Sequence, residues 1–177
     1  PRLAIDEALF KLRNSESGSL VQKNSTFTEY LQTGIEVTFS HDGEEKHDRV
    51  RLIDYENPDR NNFIVANQWT FVERSEKRPD VVIFVNGLPL DVVELKSPSR
   101  EATDVSEAYR QLRNYMREIP SFFVYNAFCI MSDMAETRVG TITSGEPRVT
   151  ELFSAEGVTE EDIAACWKLG TVKLSDR

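Results

Sequence analysis

The order of predicted elements indicates an α/β fold, a mixed β-sheet flanked by helices. Helical periodicity at the start of the chain gives way to short apolar strands, and a later helix crosses over to further strands. The length of 177 residues and the 40% hydrophobic content suit one domain with a sizeable core. We therefore expect residues 1–177 to form a single domain.

The first half of the chain is predicted to contain two helices and then three strands. The helices fall at residues 5–12 and 26–32, the second with Ser25 as its amino-terminal cap and Gly34 as its stop. Polar turns, one of them the charged segment 41–49, separate the strands, which are predicted at residues 35–39, 50–54 and 63–67, with an extension of the third to Phe71 left open.

The second half begins with a predicted hairpin of two apolar strands, 81–85 and 90–96, joined through Asn86-Gly87. A helix over residues 104–119 follows and is predicted to stop at Pro120. The remaining predicted elements are strands at 124–131 and 139–143 and a closing helix at 160–169.

The hairpin carries the strongest chemical signal in the sequence. Asp80 stands at the head of its first strand, and Glu94 and Lys96 stand at the tail of the second. Antiparallel pairing brings these positions to one end of the hairpin, so two carboxylates and one ammonium converge there. Such a trio is suited to binding Mg²⁺ or Mn²⁺ and activating water against a phosphodiester.

Strand alternation assigns further roles within this group. Glu94 and Lys96, two residues apart, share a face, while Leu95 is expected to point into the core and to offer its carbonyl oxygen to the metal. Lys96 is expected to orient the water, deprotonate it or stabilise the developing negative charge, and the sequence does not choose among these roles. The alternative is a pair of ordinary solvent-exposed hairpin charges, but the flanking strands are too apolar for an exposed edge.

The helix after the hairpin supplies a second set of candidates. Gln111 and Tyr115 are four residues apart and project from one face. Arg110, Arg113 and Arg117 form a basic stripe beside them, which is either a phosphate-contacting surface or a solvated helix face.

Composition narrows the classes of function. The net charge of −9 argues against a free-standing, tightly DNA-binding domain but not against a nuclease, whose metal site is itself acidic. The chain has two cysteines, Cys129 and Cys166, without a CxxC partner, and core packing is the expected role of both. The sequence has no apolar run long enough to span a membrane and no signal peptide at its start, so a reduced cytoplasmic setting is expected.

Two other groups of residues are candidates for functional sites. His41 and His47 lie among acidic residues, where a solvated charged turn is favoured over a metal site. Trp69 and Trp167 are candidates for stacking on bases, although core or domain-contact roles are favoured for both.

Several long motifs carry a family resemblance. They are LIDYENPDRNNFIVANQWTFVE, RPDVVIFVNGLPLDVVELK, QLRNY and IPSFFVYNAFCIMSD. With them, the chain from about Gly34 to Trp167 resembles the amino-terminal nuclease domain of the R (restriction) subunit of type I restriction-modification enzymes, a member of the PD-(D/E)xK nuclease superfamily.

The resemblance implies a restriction-endonuclease-like fold and Mg²⁺-dependent cleavage of double-stranded DNA. It implies metal-binding roles for Asp80 and Glu94 and the catalytic lysine role for Lys96, and Gln111 and Tyr115 match the supporting QxxxY element of RecB-like nucleases. The superfamily often adds an acidic residue from an early helix, here Glu7 or Glu29.

The resemblance also implies partners. Modification and specificity subunits would select the DNA site, and ATP would act only through a motor domain. This chain has no GxxxxGK[ST] loop and is therefore interpreted as a piece of a longer subunit. It has Met134 where the family usually has glycine, a change expected to affect a turn but not the metal site. A non-cleaving docking module of the same fold and a standalone repair-type nuclease are the alternative functions.

Overall fold

The computed structural model of the chain describes residues 2–14, 18–96, 105–132, 137–145 and 150–151. Its centre is a six-stranded mixed sheet with helices packed against it, which confirms the predicted α/β class. None of the helices in the described part of the chain has the length and apolar character needed to cross a bilayer.

The two amino-terminal helices are α1 (Arg2–Arg13) and α2 (Leu20–Thr33). Helix α2 begins six residues earlier than predicted because a capping box starts it: the Ser19 hydroxyl accepts from the Gln22 N–H, and the Gln22 side chain accepts from the Ser19 N–H. Ser25, the predicted cap, lies inside the helix and is exposed, so that prediction was wrong. Gly34 ends the helix as predicted, with φ of 82°.

This cap gives a stability prediction with a matched control. Ser19→Ala should lower the free energy of unfolding by about 1 kcal/mol, because the Gln22 N–H at the helix end loses its side-chain acceptor. Ser25→Ala, at the cap position expected from sequence, should leave stability unchanged or raise it slightly. Urea denaturation followed by circular dichroism measures both, and equal losses in the two variants would contradict the assigned cap.

A separate hairpin follows, made of β1 (Ile35–His41) and β2 (Glu44–Val50) around a turn at Asp42-Gly43. Most of the segment predicted as a charged turn is therefore strand, and the strand predicted at 50–54 is wrong: β2 ends at Val50. The polar residues of β2 are tolerated because its side chains are exposed except Val50 at its end.

The central sheet begins with β3 (Phe63–Asn67), at the predicted position. It lies at one edge of the sheet, and Phe63, Ile64 and Val65 are each more than two-fifths exposed. Gln68, with φ of 50°, ends the strand, so the extension to Phe71 did not form. Instead β4 (Phe71–Val72) pairs with β5 (Glu76–Lys77) in a small hairpin of its own.

The key hairpin consists of β6 (Val81–Val85) and β7 (Leu88–Leu95). The predicted Asn86-Gly87 turn is confirmed, and both residues have the positive φ values, 52° and 81°, that a two-residue hairpin turn requires. Strand β7 pairs antiparallel with β6 on one side and parallel with β8 on the other, so it is an interior strand of the sheet.

Helix α3 (Val105–Glu118) makes the crossover between these parallel strands. Pro120 ends it but also begins a short helix α4 (Pro120–Phe123), so residues 124–127 are not strand as predicted. The sheet then continues through β8 (Phe128–Ser132), β9 (Thr137–Gly140) and β10 (Thr150–Glu151), with β9 slightly earlier than the predicted 139–143. The helix predicted at 160–169 lies outside the described residues.

Two apolar clusters fill the core. One packs the buried face of α3, including Leu112 and Ile119, against Val82 and Val92 of the hairpin. The other packs α1, α2 and β1 against Val85 and Leu90 near the hairpin turn. The α3 face of the hairpin is therefore covered as far as the end that carries Asp80 and Glu94.

Candidate active site

The register of the hairpin brings Asp80 and Glu94 together. Val81 pairs with Val93, so Asp80, one residue earlier, lies opposite Glu94, one residue later. The Asp80 carboxylate accepts a hydrogen bond from the Leu95 N–H at 2.9 Å, which fastens the head of β6 to the tail of β7. The predicted convergence of the two carboxylates is therefore present in the structure.

Glu94 is an unusual carboxylate because it is 1% exposed. Its Oε1 lies 3.2 Å from the Lys96 amine, whereas its Oε2 is buried and has no hydrogen-bond partner. Burial and then the negative charge of Asp80 raise the pKa of Glu94 to about 7, although Lys96 acts in the opposite direction. A buried carboxylate with an unsatisfied oxygen costs stability, which is typical of a functional group rather than a structural one.

Lys96 is held between Glu94 and the helix α3. Its backbone N–H donates to the Ser132 carbonyl of β8 at 2.8 Å, and its amine donates to both Glu94 Oε1 and Gln111 Oε1. The Gln111 amide donates in turn to the Tyr115 hydroxyl. The Gln111–Tyr115 pair predicted to share one helix face thus lies against the Lys96 side chain.

Tyr115 is the remaining residue of the candidate site. It is 6% exposed, and burial is the main factor that raises the pKa of its hydroxyl, with the nearby charges of Glu94 and Asp80 acting in the same direction. Five predicted residues, Asp80, Glu94, Lys96, Gln111 and Tyr115, therefore form one connected group at the end of β7.

Leu95 does not point into the core, and this part of the prediction was wrong. Its side chain is 48% exposed, because the apolar cluster on that face of the sheet lies near the hairpin turn and does not extend to the end of β7. The result is an inverted pattern, in which the glutamate is buried and the neighbouring leucine faces solvent. Only the backbone of Leu95 takes part in the described site, through the N–H that binds Asp80.

Gln68 is a supporting residue whose role the sequence did not reveal. Its N–H donates to the Asp80 carbonyl at 2.8 Å, so it fixes the backbone that carries the first carboxylate. Its positive φ of 50° is uncommon outside glycine. Because a positive φ at a glutamine has no signature in composition or periodicity, the sequence does not predict this conformation of Gln68.

The three arginines of α3 have different surroundings. Arg113 donates to the Ile142 carbonyl at 2.8 Å and so ties the helix to the chain after β9. All three arginines are exposed, and Arg117 lies 3.4 Å from the Glu118 carboxylate. They differ in the protein groups that they bind.

The early acidic residues are not gathered into the site. Glu7 pairs with Lys11 of its own helix at 3.6 Å, and Glu29 lines a hollow beside Gly34. Among the residues that the structure describes, no group of three or more histidine, cysteine or acidic side chains is arranged to hold a metal ion. Asp80 and Glu94 are thus a two-carboxylate set.

His41, His47 and Cys129, three further candidates from the sequence that the structure describes, lie outside the group around Lys96. His41 lies 2.9 Å from the Asp42 carboxylate and His47 3.5 Å from that of Glu45, both on the exposed β1–β2 hairpin. Cys129 is buried, and burial raises the pKa of its thiol to about 12, as expected for a core residue. Cys166, Trp167 and Met134 lie outside the described residues.

Asp91 is a further carboxylate, half-buried, that the sequence pattern did not mark as a candidate. Burial raises its pKa to about 6, and its Oδ1 has no hydrogen-bond partner. It pairs with Ile83 and lies three residues before Glu94, on the opposite face of β7. Asp91 therefore does not belong to the group around Lys96.

The molecule is thus a mixed α/β domain whose interacting acidic, basic and amide groups meet at the end of an interior strand. Residues 2–148 match the family model described as Type I restriction enzyme R protein N terminus, and the chain belongs to that family.

Named relatives agree with this assignment. The type I restriction enzyme HindI endonuclease subunit of Haemophilus influenzae is 39% identical over 152 residues, which cover 85% of this chain and 14% of the relative. A protein of Methanocaldococcus jannaschii, provisionally named as a subunit of the same kind, is 35% identical over 153 residues, 84% of this chain and 14% of its own length. The chain therefore spans about one seventh of these relatives.

Proposed function

We propose that this chain is the DNA-cleaving domain of a type I restriction enzyme R subunit and hydrolyses phosphodiesters of double-stranded DNA with Mg²⁺. The observation that carries the proposal is the buried Glu94 carboxylate, whose free oxygen lies in a site shared with Asp80 and Lys96. We further propose that the domain has the restriction-endonuclease-like fold of the PD-(D/E)xK superfamily. The central hairpin, the parallel β7–β8 pair and the crossover helix support this.

The residues present fit a hard divalent cation. Two carboxylates share the site, and a cation beside them would compensate for burial and for the negative charge of Asp80, which together raise the pKa of Glu94. Asp80 and Glu94 would hold Mg²⁺, or Mn²⁺ in its place, together with the Leu95 carbonyl oxygen. The bound ion would polarise the scissile phosphate and favour ionisation of water.

Lys96 is the side chain best placed to act on the reacting oxygens. Two of its three N–H groups are used by Glu94 and Gln111, which leaves one for the attacking water or for a phosphate oxygen. Gln111 fixes the direction of the amine, and Tyr115 fixes Gln111. The geometry favours orientation of water and stabilisation of negative charge over proton abstraction, since the amine is already a donor to two acceptors.

The proposal includes the assembly in which the domain works. The relatives are about seven times as long as the part of them that this chain matches. We propose that an ATP-dependent motor in the longer subunit delivers DNA, and that separate modification and specificity subunits choose the site. Neither sequence recognition nor tight binding of DNA would then be required of this domain alone, and the second point is in keeping with its net charge of −9.

Conversion of supercoiled plasmid to nicked and linear forms tests the proposal. The chain should be assayed alone and within the full R subunit with its partner subunits and ATP, in Mg²⁺, in Mn²⁺ and in EDTA. Asp80→Asn should slow cutting at least about tenfold, because it removes a ligand charge but keeps an oxygen to accept from the Leu95 N–H.

Asp59→Asn is the matched control, since Asp59 is an exposed aspartate in the 3-10 turn after β2, and it should cut like the parent. Cutting that persists in EDTA, or that Asp80→Asn leaves unchanged, would contradict the proposed site. Assembly without cutting in either setting would favour the docking-module alternative.

A further inference from the structure

A cleft with two adjoining hollows lies beside the proposed active site. The first, of about 500 Å³, is walled by aromatic rings, and the second, of about 510 Å³, is bordered by cationic side chains. The two hollows share Lys23, Ser121 and Val124 as lining residues, so they lie side by side, and together they are called the cleft.

The aromatic hollow has the character of a stacking surface. Trp69, Phe84, Phe122 and Tyr125 line it. The Trp69 ring contacts Phe84 edge-on, with 5.3 Å between centroids, and 48% of the Trp69 surface stays exposed. A large aromatic ring that is supported on one side and open on the other suits a flat, unsaturated ligand.

The second hollow is positively charged although the chain is acidic overall. Lys23, Arg74 and Arg117 border it, and Glu73 is the one carboxylate among the lining residues of both hollows. Glu73 already accepts hydrogen bonds from the backbone and hydroxyl of Ser121, at 3.0 and 2.8 Å. Each guanidinium offers five N–H donors, so both arginines retain donors beyond the bonds they make within the protein.

The cleft and the proposed active site share elements of the fold. Asp80 immediately precedes β6, and Phe84 lies four residues further on, on the face that strand alternation gives to Asp80, roughly 13 Å away. Arg117 follows the site residue Tyr115 by two positions on α3. Gln68, whose N–H holds the Asp80 backbone, immediately precedes Trp69. A DNA strand at the carboxylates could therefore continue into the cleft.

We propose that this cleft binds an unpaired nucleotide of a DNA strand, with its base stacked on Trp69 and its phosphates against Lys23, Arg74 and Arg117. Bases inside an intact duplex are already stacked on each other, so only an unpaired one can enter an aromatic hollow. The inference rests on the proposed function, since it extends the path of the same DNA substrate.

Fluorescence anisotropy with a labelled single-stranded oligothymidylate of about 12 nucleotides tests the inference. EDTA in the buffer prevents cleavage, and the titration is repeated over a range of salt concentrations starting at about 50 mM. The 177-residue chain should bind, Trp69→Ala should weaken binding about tenfold, and Trp69→Phe should retain most of it. Lys23→Gln should lower the slope of log affinity against log salt by about 0.7.

Matched controls lie outside the cleft. Phe63→Ala removes an exposed ring from β3, and Lys46→Gln removes an exposed cation from β2; both should bind like the parent. Circular dichroism checks the fold of each variant. If Trp69→Ala does not fold, the salt dependence of binding by Lys23→Gln decides the question.

The inference is overturned if the parent does not bind at low salt, or if Trp69→Ala and Lys23→Gln bind as the parent does. Its test is separate from cleavage, because binding is measured in EDTA, which prevents cutting. A chain that binds but never cuts plasmid overturns the proposed function alone, and one that cuts without binding overturns this inference alone.

Discussion

Lys96→Ala should lower the rate of metal-dependent DNA cleavage at least about hundredfold, the scale of losing a positioned donor to a developing negative charge. Lys96 is the amine that links Glu94 to Gln111, and its side chain is 12% exposed, so water in the cavity left by the substitution would be a weaker and less directed donor. Single-turnover cleavage of plasmid in saturating Mg²⁺ measures the chemical step.

Lys46→Ala is the control for Lys96→Ala, because Lys46 is an exposed lysine on the β1–β2 hairpin, away from the site. Gln111→Ala should give an intermediate loss, since the amine keeps Glu94 as a partner but loses its second anchor. Cleavage by Lys96→Ala at the parental rate would show that the amine has no part in the reaction.

Glu94→Gln should abolish cleavage and at the same time stabilise the fold at pH 8 in EDTA. Burial raises the pKa of Glu94 from 4.5 to about 7, so the folded chain binds this proton more tightly than the unfolded chain does. The stability that protonated Glu94 provides is complete below pH 4.5 and is lost as pH rises toward 7. A neutral glutamine avoids this loss, which amounts to about 3 kcal/mol at most.

Urea denaturation at several pH values between about 5 and 8.5 measures the effect as a difference between the two stability curves. The curve of Glu94→Gln should be flatter but not flat, because Asp91, with its pKa raised to about 6, remains in both proteins. Glu44→Gln, at an exposed position on β2, should follow the parental curve. Parallel curves for Glu94→Gln and the parent would contradict the raised pKa assigned to the buried Glu94 carboxyl.

The hairpin and the charged residues at its end could be predicted from sequence, because interactions between residues close in the chain determine both. Asn86-Gly87 fixes the turn, and the period of two along each strand then fixes which side chains share a face. Gln111 and Tyr115 could be paired for the same reason, through the helical period. The class of fold follows from the order of such elements.

The sequence-based predictions differ from the structure where packing between distant segments determines the local conformation. Leu95 is exposed because, among the described residues, the apolar cluster on its face of the sheet lies near the hairpin turn, and the pattern of the strand alone does not contain that information. The strand predicted from Val124 begins only at Phe128, because Pro120 starts a short helix whose phenylalanines enter the core. The Gln68 contact with Asp80 and the cleft around Trp69 join segments distant in sequence, so neither leaves a periodic signal.

The position of β7 between an antiparallel and a parallel neighbour has a consequence for folding order. Its contact with β6 closes a two-residue turn, whereas its contact with β8 must wait until the whole α3 crossover has been enclosed, at a larger cost in chain entropy. Asp80 and Glu94 are thus brought together by a local event, but Lys96 meets Gln111 only through long-range closure. The pair of carboxylates therefore depends on contacts within one hairpin, whereas the anchoring of the Lys96 amine depends on the α3 crossover.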